Sequence, residues 1–190
     1  PNLCILAGDA LVVLPSLIAP ASVSCICVNH PEPPQQTGSM GLEYRSQGRH
    51  LLEESFFLAA ERVLTSGGTL TIHTDNLWYA KLLLRSLSPA TNAAGRLFAS
   101  KEPSTLASPG SGSAVDKDDT ALAQVEERAN GFTLYRGAPG PESGHVANAS
   151  SYFDRLWKRD QKVSRYFLFL EKKAGGANKK IVFDDSSDDE

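Results

Sequence analysis

Residues 23–34 read VSCICVNHPEPP and residues 69–76 read TLTIHTDN. Each is an apolar, β-branched run that stops abruptly at a polar turn, the pattern of a buried strand. Leu51 to Leu64 lies between them, with Leu51, Leu52, Phe56, Ala59, Ala60 and Val63 recurring at helical spacing. Gly67-Gly68 ends that helix. Strand, helix and strand in this order predict parallel pairing through a crossover. Working outward, Asn2 to Leu6 reads as a short buried strand. Asp9 to Ile18 reads as a short helix with Asp9 as N-cap, and Asp75 to about Leu87 as a third helix. The expected class is α/β, a mostly parallel sheet. In such sheets ligands bind beyond the carboxyl ends of the strands. Gly8-Asp9, His30 to Pro34 and Thr74-Asp75 should therefore open on one edge.

Composition sets further bounds. The chain has 190 residues, 41% hydrophobic, enough for a sizeable core. Its net charge of −3 comes from 19 Lys and Arg against 22 Asp and Glu. Five of those acids fall in the tail Asp184 to Glu190; without them bases exceed acids by two. The acidity thus belongs to a tail, which resembles a casein-kinase-type phosphorylation site, and does not argue against an anionic partner. No apolar run approaches the ~20 residues of a membrane span. Cys4, Cys25 and Cys27 are odd in number and lie in strand-like text. A reducing compartment, nuclear or cytoplasmic, is expected. Cys25 and Cys27 read as two residues on one strand face rather than half a metal site, and no metal is expected.

The stretch 88–150 differs: 32 of its 63 residues are Gly, Ala, Pro or Ser. It reads as a low-complexity, largely disordered insertion, with a short strand resuming at Phe132 to Tyr135. Val163 to Leu170 reads as a closing, antiparallel strand. Segment 151–173 holds seven Lys and Arg against three acids. With Tyr152, Phe153 and Trp157 it could stack on bases and hold phosphates; the competing reading is a closing strand with a solvated basic face. Trp78 and Tyr79 read as core residues of the third helix. A flexible acidic tail, 174–190, completes the organisation after 1–87 and 151–173.

Four short motifs in order resemble one family. They are Gly8-Asp9-Ala10, Pro31-Glu32-Pro33, Leu64-x-x-Gly67-Gly68-x-Leu70-x-x-x-Thr74-Asp75, and Ser151-Tyr152-Phe153-Asp154 before the last strand. This set resembles the tRNA (guanine-N7)-methyltransferases, class I S-adenosylmethionine enzymes, over residues 2–87 and 151–172. The resemblance implies a partial Rossmann-like fold and methyl transfer from S-adenosylmethionine to guanine N7 in tRNA. It implies that Asp9 lines the cofactor pocket and that Glu32 faces both cofactor and target guanine as the catalytic carboxylate. By the same resemblance Gln36, Arg49, His50, Asp75, Ser151 and Asp154 contact the substrate. It implies tRNA as partner and allows a non-catalytic protein subunit.

This sequence departs from the family in several places. Glu32 stands where the family has Asp, Pro34 where it has Trp, and Gln35 and Gln36 where it is Lys-rich. The loop from Gln36 to Arg49 is about seven residues longer than usual. No acidic Gly-x-Gly loop is present, so the chain is expected to hold the second half of a cofactor site. The rest would lie upstream of Pro1, or the site would be lost. In that second case a catalytically degenerate fold would serve as an RNA-binding or partner-binding module.

Overall fold

The structure, a computed structural model, describes residues 5–36, 45–46, 50–90, 93–106, 122–143 and 164–174. In chain order it contains α1 (Ala10–Leu17), β1 (Val23–Asn29), β2 (Gln35–Gln36), β3 (Arg45–Ser46), α2 (Glu54–Val63), β4 (Leu64–Thr74) and α3 (Leu77–Ser86). There follow α4 (Ala93–Leu97), β5 (Phe98–Ser100), β6 (Gln124–Ala129), β7 (Phe132–Arg136), a 3-10 turn at Pro141–Ser143, and β8 (Tyr166–Lys172). The main sheet runs β1-β4-β8-β7-β6, with β5 also paired to β8; β2 and β3 form a separate pair.

The α/β class stands, and β1 and β4 pair in parallel through α2 as the alternation of elements predicts. The balance of the sheet differs from expectation. Every other named strand pairing among the described residues is antiparallel. Two causes are visible. Ile5 and Leu6, the described end of the expected first strand, are exposed and outside any strand. In addition, the stretch set apart as an insertion contributes α4, β5, β6 and β7. Its residues 107–121 lie outside those described. The β6–β7 hairpin turns on Asn130 (φ 56°) and Gly131 (φ 82°), the left-handed pair that a two-residue hairpin loop requires.

The sheet is covered differently on its two faces. Leu70 and Ile72 of β4, Leu168 and Leu170 of β8, and Leu134 of β7 meet Phe56, Phe57 and Ala60 of α2 and Tyr79, Leu83 and Leu84 of α3. Alternate residues point the other way. There Phe167, Phe169, Tyr135 and Ala123 form a smaller cluster with Leu106 against it. The Pro141–Ser143 turn closes over the same face, since the Ser143 carbonyl accepts from Cys25 Sγ at 2.8 Å and Thr71 Oγ1 at 3.3 Å. β4 is buried without a break from Gly68 to Thr74, as a central strand covered on both sides must be.

Three basic residues of the segment 151–173 are described, and all serve the fold. Lys172 Nζ pairs with Glu61 Oε1 at 3.0 Å and donates to the Glu61 and Leu64 carbonyls at 2.7 and 3.0 Å. It thereby satisfies acceptors that the end of α2 leaves without helical partners. Lys173 Nζ donates to the Gly95 carbonyl of α4 at 3.3 Å, and Arg165 is 6% exposed. Tyr79 is core as expected. Trp78 is 48% exposed, because the buried stripe of α3 runs through Tyr79, Ala80, Leu83 and Leu84 and leaves position 78 on the flank. No helix of the described residues is long and apolar enough to cross a membrane.

Candidate functional site

The carboxyl ends of the parallel pair carry a cleft of about 440 Å³, lined by His30, Pro31, Glu32, Pro33, Thr74, Asp75 and Asn76. Its position follows from the register, which runs from Cys25 opposite Thr69 to Asn29 opposite His73. Both strands therefore end at one level and release their loops side by side. The volume lies within the ~300–1,000 Å³ of small-molecule sites.

Each wall is built locally. On the β1 side the ladder continues one residue past the strand, with the His30 amide donating to the His73 carbonyl at 2.8 Å. Pro31 and Pro33 then restrict the backbone on either side of Glu32, whose side chain is exposed to the cleft. His30 itself has φ 48°, a left-handed conformation costing about 1–3 kcal/mol for a residue with a β-carbon. On the β4 side Thr74 Oγ1 accepts from the Asn76 amide at 3.1 Å, and Asn76 Oδ1 caps α3 by accepting from the Tyr79 amide at 3.0 Å. Asn76, not Asp75, is thus the helix cap, and the Asp75 carboxylate faces the cleft. His30 Nδ1 stands 3.7 Å from Asp75 Oδ1 across the cleft.

Of the residues singled out in the sequence, Glu32 and Asp75 come together. Asp9 does not line the cleft; its Oδ1 accepts from the Leu11 amide at 2.8 Å and caps α1. Gln36 is placed by its backbone in β2, opposite Arg45. Arg49, Ser151 and Asp154 lie outside the described residues. His50 is half-buried and engaged elsewhere: its Nδ1 is 3.0 Å from Tyr79 Oη, edge to face, and its amide donates to Glu53 Oε1 at 3.2 Å. Sequence reasoning missed His30 as a site residue. The available signal was its position, between the end of a strand and a proline-bounded loop.

Burial holds the His50 pKa below the usual 6.5, against the opposing charge of Glu53. The unfolded chain then takes up the proton first, so this group's contribution to stability falls as pH drops below 6.5. Melting temperatures measured from pH 8 down to about pH 5 should therefore decline, and less steeply in His50→Gln. Identical slopes would remove His50 as the cause.

On the opposite face of the sheet, Cys25 Sγ and Cys27 Sγ are 3.6 Å apart, as alternate residues of one strand predict. Cys27 keeps an exposed edge, but partial desolvation against the sheet, with Cys25 beside it, pushes its thiol from 9.0 up to about 12. Cys27 should alkylate with iodoacetamide at pH 7 roughly 100-fold more slowly than a free thiol, as read by mass spectrometry. A rate matching free cysteine would contradict this. Among the described residues no group of three or more His, Cys, Asp or Glu could hold a metal ion.

The cleft chemistry suits a ligand bearing positive charge or an N–H edge, since Glu32 and Asp75 present carboxylates. No curated protein sequence matches the chain. The profile of the methyltransferase family Methyltransf_4 matches residues 1–104, more than half of the chain, and spans α1, β1, both walls of the cleft and α3. The chain belongs to this methyltransferase family.

Proposed function

We propose that the chain is a tRNA (guanine-N7)-methyltransferase-like protein that uses S-adenosylmethionine as methyl donor. The observation that carries the reading is Glu32 and Asp75 on facing walls of one cleft, inside the segment that matches a methyltransferase family. S-adenosylmethionine, when bound, supplies a methyl group made electrophilic by the adjacent sulfonium. Guanine N7 already carries a lone pair, so no base is needed to make it nucleophilic. The work left to the protein is orientation and charge. Glu32 accepts from the N–H edge of the guanine and stabilises the positive charge that grows on the ring. Asp75 holds the base from the β4 side. Proline on either side of Glu32 restricts the backbone that carries the carboxylate, which matters because a ~1 Å misplacement costs about 100-fold in rate.

Asp9 and Gln36 belong to this proposal at its margins, Asp9 toward the cofactor and Gln36 toward the RNA, with Arg49, His50, Ser151 and Asp154 as further RNA contacts. The partner is tRNA, with a non-catalytic protein subunit as a second candidate. The test is methyl incorporation from labelled S-adenosylmethionine into unmodified tRNA by the purified full-length protein, with the product nucleoside identified. Labelled 7-methylguanosine supports the reading. Calorimetric binding of S-adenosylmethionine without incorporation points to another substrate. RNA binding without either identifies a degenerate fold that acts as a binding module.

A further inference from the structure

Tyr79 sits in the first turn of α3 and is 0% exposed, yet it carries a hydroxyl that packing alone does not need. Phenylalanine would fill the same place in the core. The hydroxyl meets one partner among the described residues, the His50 ring, with Oη 3.0 Å from Nδ1 and the two rings edge to face at 5.6 Å. A buried phenol keeps a hydrogen bond for its proton, and burial pushes the Tyr79 pKa above its ordinary 10.0. Oη therefore donates to Nδ1. A neutral imidazole that accepts at Nδ1 carries its own proton at Nε2, and burial favours the neutral ring by holding His50 below 6.5. The ring is half-buried. Its Nε2 has no hydrogen-bond partner among the described residues and is not enclosed.

The place of this pair matters as much as its chemistry. The Tyr79 amide donates to Asn76 Oδ1 at 3.0 Å, and Asn76 lines the cleft. One residue thus grips the cleft wall through its backbone and His50 through its side chain. His50 closes the excursion of the chain that leaves the cleft at Pro33: β2 begins two residues later, β3 pairs with β2, and His50 comes four residues after β3. Glu53 Oε1, which accepts from the His50 amide at 3.2 Å, fixes the backbone end. We infer that Tyr79 is a positioning residue, which locks the His50 ring so that Nε2–H stands beside the cleft as a neutral donor to an acceptor oxygen of bound RNA. The inference rests on the reading of the chain as a tRNA methyltransferase and divides the recognition in two. Carboxylates inside the cleft take the N–H edge of the base, and His50 takes an oxygen of the RNA next to it.

Three measurements on the full-length protein test this. The first needs no activity: the nitrogen-15 resonances of the His50 ring, read above the imidazole range. Nδ1 should resonate as a bare acceptor and Nε2 as an N–H nitrogen, and in Tyr79→Phe both should move toward the average of the two tautomers. A protonated Nδ1 in the parent, or an unchanged pattern in Tyr79→Phe, would overturn the inference. The second is affinity for tRNA by fluorescence anisotropy, with kcat measured alongside. Tyr79→Phe should weaken binding roughly fivefold, the worth of one hydrogen bond, with kcat little changed. It should have no further effect once His50→Ala is in place; equal losses in both backgrounds would show that Tyr79 does not act through His50. The third uses His50 alone and so stands even if Tyr79→Phe folds poorly. His50→Gln, with an N–H close to the place of Nε2, should recover most of the affinity lost in His50→Ala, and His50→Asn, which reaches only the place of Nδ1, should not. The reverse order would overturn the inference. The expected tautomer and affinities in a protein that methylates no tRNA would instead refute the methyltransferase reading and leave Tyr79 and His50 as an RNA-binding pair.

Discussion

Replacing Glu32 with glutamine is expected to lower kcat/KM for methyl transfer to tRNA about 100-fold, the usual consequence of removing one preorganised electrostatic group from a developing charge. Glutamine keeps the length and one acceptor oxygen of the side chain and removes its negative charge, so the loss measures charge stabilisation rather than space. The fold should not register the change. Glu32 is exposed, and the core residues of β1 and β4 do not depend on it. The melting temperature should stay within about 1 °C of the parent, as for a surface substitution away from buried contacts. Glu32→Asp separates charge from reach, because the charge stays while the carboxylate retreats by one methylene. Loss of activity in both variants would mean that this chain depends on the longer side chain; loss in glutamine alone would mean that charge decides. Less than a threefold change in Glu32→Gln would remove Glu32 from the chemistry.

The largest effect on stability is expected at Phe57. Its ring is 0% exposed and stands edge to face with Phe56 at 5.7 Å and with Phe98 at 6.3 Å. It thus joins α2 to β5 and seats the helix layer on the sheet. Phe57→Ala removes most of the side chain from a site where α2, α4 and the sheet limit collapse. A loss of about 3–5 kcal/mol is expected, a large part of the roughly 5–15 kcal/mol that holds a domain together. Urea unfolding should show a lower midpoint with an unchanged slope. A loss below about 1 kcal/mol would mean that the cavity refills and that the helix layer is not anchored there. Phe57→Leu should recover much of the loss, since it restores apolar volume without the edge-to-face contacts.

The two expectations separate cleanly because site and core are made by opposite uses of the same strands. The residues of β1 and β4 that point into the large cluster are apolar and alternate regularly, so they announce themselves in the sequence. The cleft begins where that alternation ends, and its residues are recognisable by position rather than type. Glu32 and Asp75 could be named in advance, since each follows a strand by no more than three residues. The role of Asp9 as a helix cap was equally local and equally legible. His50 could not be placed that way: nothing near it in sequence reveals that Tyr79, on α3, would take its ring.

The basic segment teaches the same lesson. By composition, seven Lys and Arg among aromatics suggest an anionic partner. Yet Lys172 and Lys173 end at helix carbonyls and Arg165 is buried. Whether a charge faces solvent depends on which carbonyl ends come to lie beside it, and that is decided by strand order. The low-complexity stretch misled for a related reason. Gly, Ala, Pro and Ser offer little to bury, but β6 and β7 need only a tight Asn130-Gly131 turn and one apolar face to join a sheet already formed by β8.

The sequence by itself determined the α/β class, the parallel β1–β4 pair and the loops that end it, because hydrophobic periodicity and turn residues act over a few neighbours. Only the tertiary structure decided that the remaining strands run antiparallel, that His30 and Asp75 meet across the cleft, and that described lysines serve helix ends instead of a ligand. Those outcomes depend on contacts between residues tens of positions apart, where packing and hydrogen-bond satisfaction over the whole sheet choose the partner and no local pattern records the choice.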